Sequence, residues 1–230
     1  MILLIDKPKG MTSHDVVDEV RKITDERRVG HAGTLDPNAT GLLVIGVGRE
    51  STKKLGSITK DTKKTYEAEI FLGEERDTDD AMGKVRNLLS EPKTLKSQRQ
   101  FAIRKIKGGE GILESKLLKT IEKFIGKQEQ VPPIYSAIKV RGKKAYEMAR
   151  KGRGLSLNPR NIEIFSIKLL SYDYPLLKIV TEVSSGTYIR ALARDIGRKL
   201  GCGAYLKNIR RMRIDKYDVK DAVKLDCLKI

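Results

Sequence analysis

Apolar residues recur along this chain with two different periods. A period of two, in which apolar and polar positions alternate, predicts a strand at residues 65–73 that buries one face. The apolar positions of that strand are Tyr66, Ala68, Ile70 and Leu72. Continuous apolar runs at residues 2–5 and 42–48 are typical of buried strands. Three strands are therefore expected in the first third of the chain.

A period of three to four residues predicts two amphipathic helices. The first is expected to begin at an N-cap, Ser13, and the second to end at Gly201. The apolar face of the first helix consists of Val16, Val17, Val20 and Ile23. The apolar face of the second consists of Ile189, Leu192, Ile196 and Leu200. Both helices should pack one face against a sheet or a second helix.

The order of these elements favours an α+β fold over a doubly wound parallel sheet, because strands and helices alternate in mixed order with hairpin-like turns. Residues 86–130 differ from the rest, since they are Lys-rich and mostly helical in pattern. A helix behind a cap at Ser115 is expected there. Its apolar stripe is Leu117, Leu118, Ile121, Phe124 and Ile125. We interpret residues 1–230 as one domain with an inserted lobe at about 86–130.

Composition adds a strong positive charge to this picture. Lys plus Arg exceed Asp plus Glu by 17 and the pI is about 9.8, so the surface attracts polyanions, of which nucleic acid is the commonest. A Lys-rich solvated surface is the alternative explanation. The sequence has no run of 18 apolar residues, so it predicts no membrane span. Its two cysteines lie far from its two histidines, so it predicts neither a disulfide framework nor a zinc site. We expect a cytosolic protein without a metal.

One carboxylate is unusually placed in the glycine-rich stretch GHAGTLDPNATG, residues 30–41. Pro37 disfavours helical backbone at Asp36, and Gly33 and Gly41 let other backbone approach closely. The result is a fixed, presented carboxylate, although Asp-Pro is also ordinary turn chemistry. Arg190, at the start of the second predicted helix, could hold a buried carboxylate ionised or form an ordinary surface ion pair.

Two other groups of residues suggest different chemistry. The acidic cluster of GEERDTDDAMG, which consists of Asp77, Asp79 and Asp80, could bind a divalent cation, although such turns are usually solvated. The stretches KVRGKKAYEMARKG and NIRRMRIDKY combine cations with Tyr146 and Tyr217. This combination suits an RNA backbone as well as a solvated surface.

Five stretches of the chain, in order and over nearly its whole length, resemble the successive motifs of the bacterial tRNA pseudouridine(55) synthases of the TruB type. They are LLIDKPKGMTSHDVV, GHAGTLDPNATGLLVIGVGR, KTYEAEIFLGEERDTDDAMG, PPIYSAIKVRGKKAYEMARKG and SSGTYIRALARDIGRKLGCGAYLKNIRR. The resemblance implies a mixed, mainly antiparallel central sheet flanked by helices. It also implies an isomerase that converts a uridine in the T-loop of tRNA to pseudouridine without a cofactor or a metal.

The resemblance further implies roles for individual residues. Asp36 matches the catalytic carboxylate, which acts as nucleophile while the C–N glycosidic bond breaks, the uracil turns and a C–C bond forms through C5. Arg190 matches the partner of that carboxylate. Tyr66 matches the Tyr that stacks on the target base and assists proton removal from C5.

Other residues match positions that contact the substrate. His31 resembles the His that helps take the base out of the stacked loop, and Tyr188 resembles a residue that lines the uracil pocket. Ile209 stands where the family more often has Leu against the base, and this change keeps an apolar wall. The residues expected to contact RNA phosphates are Lys7, Arg210 and Arg211.

Many members of that family continue into a small C-terminal RNA-binding domain, which we expect this chain to lack because it ends soon after RRMRIDKYDVKDAVKLDCLKI. The basic 86–130 segment could compensate for the smaller contact area. The expected partner is the T-arm of tRNA, bound by a monomer. Two alternatives stay open: a non-catalytic RNA-binding protein or tRNA folding chaperone, and a metal-dependent nuclease that uses the acidic cluster.

Overall fold

The computed structural model describes residues 1–86, 112–136, 138–140, 142–150 and 157–228. Its helices are α1 (Ser13–Thr24), α2 (Arg49–Thr59), α3 (Glu114–Glu122), α4 (Ala145–Arg150) and α5 (Ile189–Leu200), with short 3-10 helices at Val219–Asp221 and Leu225–Cys227. Its strands are β1 (Ile2–Lys7), β2 (Val29–Ala32), β3 (Thr40–Val47), β4 (Lys64–Leu72), β5 (Gly126–Gln130), β6 (Lys139–Val140), β7 (Lys143–Lys144), β8 (Arg160–Asp173), β9 (Leu176–Val183), β10 (Ala204–Ile214), β11 (Tyr217–Asp218) and β12 (Val223–Lys224).

Ten of these strands form one sheet. Its order is β12-β1-β3-β10-β4-β9-β8-β5, with β2 paired to β3 and β11 paired to β10. The pairs β1–β3, β2–β3, β5–β8 and β10–β11 are antiparallel, whereas β1–β12 and β3–β10 are parallel. Strands β6 and β7 form a separate antiparallel pair. The expected α+β fold with a mixed, mainly antiparallel sheet is therefore confirmed.

The described chain packs as two compact units. Unit 1 comprises Met1–Glu67, Val180–Ser185 and Asn208–Ile230, and unit 2 comprises Ala68–Ile179 and Gly186–Lys207. Strands β4, β9 and β10 each contribute residues to both units. Each unit holds some of the residues that the sequence singles out, so the two are described in turn below.

The core of unit 1 is built on β3, whose residues from Gly41 to Val47 are all buried. Leu43 and Ile45 point to one face of the strand, where they pack with the valines of α1. Leu42 and Val44 point to the other face, where they pack with Leu55 of α2. Because successive side chains of a strand alternate between faces, a continuous apolar run lets one strand serve both sides of the sheet.

Helix α1 begins with a capping box. Thr12 Oγ1 accepts a hydrogen bond from the Asp15 N–H at 3.0 Å, and Asp15 Oδ2 accepts one from the Thr12 N–H at 2.7 Å. The prediction of Ser13 as the N-cap is therefore wrong by one residue, because Asp15 stands three positions after Thr12. Ser13 is buried and has a different role.

Helix α3 lies in the part of the 86–130 segment that the structure describes, whereas residues 87–111 of the expected lobe lie outside the described residues. The helix begins at Glu114 after Leu113, with no side-chain hydrogen bond at the cap, so the prediction of a cap at Ser115 is wrong. Residues 126–130 form strand β5 along β8 instead of continuing the helical stripe. Gly126, with φ of 108°, adopts a backbone conformation that interrupts a helix.

Candidate active site

The loop that carries Asp36 is held by the backbone on both sides of that residue. On one side, Leu35 is buried and its N–H donates to Ser13 Oγ at 2.8 Å, while the Ser13 hydroxyl donates to the Leu35 carbonyl at 3.2 Å. On the other side, the Pro37 carbonyl accepts hydrogen bonds from the Gly10 N–H at 2.8 Å and Lys7 Nζ at 3.2 Å. The loop is therefore fixed through the backbone groups of Leu35 and Pro37.

Asp36 itself is exposed. This agrees with the expectation of a carboxylate that its loop presents, and it corrects the expectation of a buried carboxylate. An exposed carboxylate is one that a large substrate can reach from outside. Fixed backbone and an accessible carboxylate together suit a nucleophile that loses little entropy when its substrate arrives.

Lys7 lies behind this loop rather than on the surface. Its side chain is fully buried, and Nζ donates to the carbonyls of Pro8 at 2.8 Å, Met11 at 2.6 Å and Pro37 at 3.2 Å. Burial lowers the pKa of Lys7 to about 8, an effect that the negative charge of Asp36 partly offsets. The prediction that Lys7 contacts a phosphate is corrected by this burial. Lys7 instead closes the Asp36 loop.

Arg211 is also buried, although the sequence suggests a phosphate contact. Its Nε donates to the Leu42 carbonyl and its Nη2 to the Gly33 carbonyl, both at 2.8 Å. Strand β10 runs parallel to β3 with Arg211 opposite Gly41, where a Cβ would collide with the Arg211 backbone. The expected close backbone approach at Gly41 is confirmed, and the phosphate contact of Arg211 is corrected.

Arg210, the remaining residue expected at a phosphate, forms a bidentate ion pair with Asp6. The distances from Nη1 and Nη2 to the two carboxylate oxygens are 2.9 Å and 2.7 Å. The Arg210 side chain is about one third exposed, at 36%. A phosphate would have to share this guanidinium with Asp6, so a phosphate contact of Arg210 stays a prediction.

Three further residues of unit 1 match expected substrate contacts. His31 is half-buried, and its ring lies edge-on to His14 with 6.5 Å between centroids. Burial, followed by the charges of His14 and Arg211, lowers the pKa of His31, and Nδ1 has no hydrogen-bond partner within the described part of the chain. Tyr66 is buried on β4, and Ile209 packs against the apolar core around α1. Their roles toward a base stay predictions.

Unit 2 holds Arg190 and Tyr188 at the start of α5. Arg190 Nη1 lies 3.2 Å from the Thr78 carbonyl and 3.5 Å from Asp80 Oδ2, and Nη2 donates to the Tyr135 carbonyl at 3.0 Å. The Gln130 amide holds the Tyr188 backbone from both directions, because it accepts the Tyr188 N–H at 2.9 Å and donates to the Tyr188 carbonyl at 3.1 Å. The pairing of Arg190 with Asp36 stays a prediction.

Two more arginines follow Arg190 along α5 and form a row with it. Arg194 Nη1 donates to Asp79 Oδ2 at 2.8 Å, and Arg198 Nη2 donates to Glu75 Oε2 at 3.2 Å. Positions 190, 194 and 198 are four residues apart, so they lie on one face of the helix. Glu75 and Asp79, from the acidic stretch GEERDTDDAMG, thus bind arginines of α5.

This use removes the basis of the nuclease alternative. Asp79 binds Arg194, Asp80 accepts hydrogen bonds from the Thr78 hydroxyl and the Met82 N–H, and Asp77 Oδ1 accepts the Lys84 N–H. Within the described ranges, no group of three or more His, Cys, Asp or Glu residues is arranged to hold a metal ion. The acidic cluster is a structural element of unit 2.

The Arg194–Asp79 pair gives a stability prediction. Each side chain is only 9% exposed, so Arg194→Leu would leave a buried carboxylate with less compensation. We expect a loss of about 3 kcal/mol in the free energy of unfolding, and the double variant Arg194→Leu/Asp79→Leu should recover more than half of it. Urea denaturation measures both. The matched control Arg213→Leu, from an exposed pair with Asp218, should cost less than about 1 kcal/mol. Equal losses in the three variants would contradict this account.

Sequence reasoning missed several residues that shape the site, among them Ser13, Gln130 and Lys64. Lys64 is buried at the start of β4, where Nζ donates to Ser185 Oγ at 3.1 Å and the Thr59 carbonyl at 3.4 Å. The alternation along β4 contains the signal, because Lys64 falls on the same face as Tyr66. Gln130 and Ser13 gave no such signal, since their partners are distant in sequence.

Lys64 predicts a pH dependence of stability. Burial lowers its pKa from 10.5 to about 8, so between these values the unfolded chain binds more protons than the folded one. The free energy of unfolding should therefore rise with pH in this window. We expect the difference between wild type and Lys64→Met to shift in favour of wild type from about pH 7.5 to about pH 9.5 in urea denaturation. A difference that stays constant would contradict a depressed pKa.

The architecture places the chain in a known fold class. It is similar to a solved structure described as a Cbf5-Nop10-Gar1 complex, with a TM-score of 0.68 and 24% identity over 98% of this chain and 52% of that chain. It is similar to a second structure, of an H/ACA RNP bound to a substrate RNA containing 2'-deoxyuridine, with a TM-score of 0.65 and 22% identity. These similarities show that the chain shares the fold of the proteins matched in these two structures.

Sequence comparison then identifies the family. Residues 21–189 match the N-terminal domain of TruB family pseudouridylate synthases, and residues 190–230 match the tRNA pseudouridylate synthase B C-terminal domain. The chain belongs to the TruB family of pseudouridylate synthases. The family expected from the five motifs is therefore confirmed. Residues 190–230 contribute to both units, through α5 and β10 among other elements.

Individual relatives agree with this assignment. The chain is 42% identical over 217 residues to the tRNA pseudouridine synthase B of Thermosipho melanesiensis, covering 94% of this chain and 64% of that protein. It is 41% identical over 228 residues to the protein of the same name from Aquifex aeolicus, covering 97% of this chain and 71% of the relative. The chain thus spans about two thirds of the length of these curated relatives. None of the described helices is long and apolar enough to cross a membrane.

Proposed function

We propose that this chain is an RNA-modifying isomerase that converts the uridine at position 55, in the T-loop of tRNA, to pseudouridine, with Asp36 as the nucleophile. The observation that carries this proposal is the Asp36 loop. Its backbone is fixed from both sides by Ser13, Lys7 and Gly10, while the carboxylate is exposed to an incoming substrate. Membership of the TruB family and a net charge of +17 support an RNA substrate.

The reaction replaces one bond between the uracil and the ribose by another, without net gain or loss of atoms. The bond between N1 of uracil and C1' of the ribose breaks, the uracil turns, and a bond forms between C5 and C1'. The proton of C5 leaves, and N1 gains a proton. The chemistry needs no metal or redox group, so a single carboxylate and an enclosed base are sufficient.

The remaining side chains assist these steps. We assign Arg190 to serving as the partner of the Asp36 carboxylate, and Tyr66 to stacking on the base and assisting the departure of the C5 proton. Tyr188 and Ile209 would line the uracil pocket. A His31 ring that burial keeps neutral can enter a base stack without carrying a charge into it. Taking the base out of its stack costs a few kcal/mol, which stacking in the pocket offsets.

Loss of the C5 proton tests this function. An unmodified tRNA transcript with tritium at C5 of its uridines should release tritium to water when the protein is added, and EDTA should not affect the release. Tight tRNA binding without release would favour the alternative of a non-catalytic RNA-binding protein or folding chaperone. Strand cleavage that EDTA stops would favour a nuclease. Either result would contradict the proposal.

A further inference from the structure

Unit 2 contains a concave basic surface that the proposed reaction does not use. A groove of about 430 Å³ lies between helices α3 and α5. We call it the lysine groove, and the residues that line it are Ser115, Lys116, Lys119, Thr120, Lys123 and Lys199. Four of these six residues carry a positive charge, and none carries a negative one. The groove is therefore a concentrated source of positive potential.

The packing of α3 explains why the lysines face outward together. Leu117 and Ile121 are buried on one face of α3, and the helix contacts both α5 and β8. Lys116, Lys119 and Lys123 fall at spacings of three and four residues away from that buried face, and all are exposed. The Tyr172 hydroxyl donates to the Ile112 carbonyl at 2.8 Å and holds the chain at the entry to the helix. Two packed helices thus present the lysines from a fixed frame.

A solvated helix face is the simpler explanation of such lysines, but other helices of this chain treat lysines differently. In α1, Lys22 pairs with Glu19 at 2.6 Å, and in α2, Lys53 pairs with Glu50 at 3.1 Å. In α3, Lys119 stands three residues from Lys116 and four from Lys123, where like charges repel. Glu122 stands three residues from Lys119, but the two form no ion pair among the described residues. None of the four lysines of the groove forms an ion pair or a hydrogen bond with its side chain among the residues that the structure describes. An external anion would relieve this repulsion.

We propose that the lysine groove binds the phosphates of an RNA backbone and forms a tRNA contact in unit 2 that is additional to the Asp36 loop. This inference rests on the proposed function, because it takes the substrate to be RNA. Among the described residues, none that lines the groove is aromatic, so no base could stack there and the contact is with phosphates and independent of sequence. The described lining also contains no apolar residue, which argues against a hydrophobic protein partner.

Salt dependence of binding tests this proposal. The groove variant carries Lys116→Gln, Lys119→Gln, Lys123→Gln and Lys199→Gln. The control variant removes four exposed lysines of unit 1 and carries Lys54→Gln, Lys60→Gln, Lys220→Gln and Lys224→Gln. Both lose the same charge, so net charge alone predicts equal effects. Affinity for an unmodified tRNA transcript is measured from about 50 to about 200 mM salt.

The groove variant should lower the slope of log affinity against log salt by about three, because each lost phosphate contact contributes about 0.7 to 0.9. Affinity at the low-salt end should fall at least about tenfold, whereas the control variant should change the slope by less than about one. The double variant Lys116→Gln/Lys123→Gln should lose about half as much slope, and it provides the test if the fourfold variant does not fold.

Three outcomes would overturn the proposal. An unchanged slope in the groove variant would show that no phosphate binds there, and equal losses in the groove and control variants would show an effect of net charge only. If the groove variant bound anionic vesicles more weakly than wild type but bound tRNA normally, the surface would be assigned to a membrane instead. The rate at saturating tRNA should stay unchanged in the groove variant. If the wild-type protein bound tRNA through the groove but released no tritium, the proposed function would be refuted and this inference would stand.

Discussion

Replacing Asp36 by Asn is expected to slow pseudouridine formation by at least about a thousandfold, while tRNA affinity changes less than about threefold. The amide has nearly the same size as the carboxylate, but it carries no negative charge to attack the nucleoside. The loop should keep its conformation, because Ser13, Lys7 and Gly10 hold its backbone and none of these bonds uses the Asp36 side chain. Binding and chemistry should therefore separate in this variant.

Single-turnover tritium release measures the chemistry, and filter binding measures the affinity. The matched control is Asp61→Asn, the same chemical change at another exposed loop carboxylate of unit 1. Asp61 has a φ of 55°, a conformation that Asn also tolerates, so this variant should fold and react like wild type. If Asp36→Asn reacted at the rate of Asp61→Asn, Asp36 could not be the nucleophile.

Arg190→Lys is expected to give the second-largest effect, a fall of about a hundredfold in kcat. Two nitrogens of the Arg190 guanidinium reach acceptors on two different segments, the Thr78 carbonyl and the Tyr135 carbonyl. A lysine ammonium keeps the charge but is a single point, so it cannot satisfy both and hold the same position. The variant therefore tests position separately from charge.

A matched change at the far end of the same row on α5 separates the proposed role of Arg190 from a purely structural one. Arg198→Lys should leave kcat close to the wild-type value, because Arg198 pairs with Glu75 and has no proposed part in the reaction. Urea denaturation should show that both variants are folded. A fall in kcat as large in Arg198→Lys as in Arg190→Lys would indicate that Arg190 only supports the surrounding loops.

Much of the local structure could be predicted because the spacing of apolar residues differs between elements, two in a half-buried strand and three to four in an amphipathic helix. The alternation at 65–73 is β4, the apolar run at 42–48 lies in β3, and the apolar positions from Ile189 to Leu200 belong to α5. The order of the strands could not be read in this way. Strand β10 pairs with β3 across more than 150 residues of chain, and no local pattern encodes such a partner.

The candidate site was predictable to the extent that backbone chemistry determines it. Pro37 and the nearby glycines indicated a fixed, presented carboxylate at Asp36, and the structure has that loop. The roles of Lys7 and Arg211 were not predictable from charge, because a basic residue in a basic chain suggests a phosphate contact. Both are buried, and both donate to backbone carbonyls that only the fold brings near, Pro37 for Lys7 and Leu42 and Gly33 for Arg211.

The acidic cluster shows the same limit. Three aspartates in four residues suggest a cation, and the sequence does not show whether that cation is a metal or an arginine. The row on α5 settles this for Asp79, which binds Arg194. Its partner lies 115 residues further along the chain, so only the tertiary structure identifies it.

Mapping pseudouridine at single-nucleotide resolution tests the central claim most directly. An unmodified tRNA transcript is incubated with wild type or with Asp36→Asn, and every position is then examined. The account predicts one pseudouridine, at position 55 in the T-loop, with wild type and none with Asp36→Asn. A transcript left unmodified by the wild-type protein, or modified equally by both proteins, would contradict it.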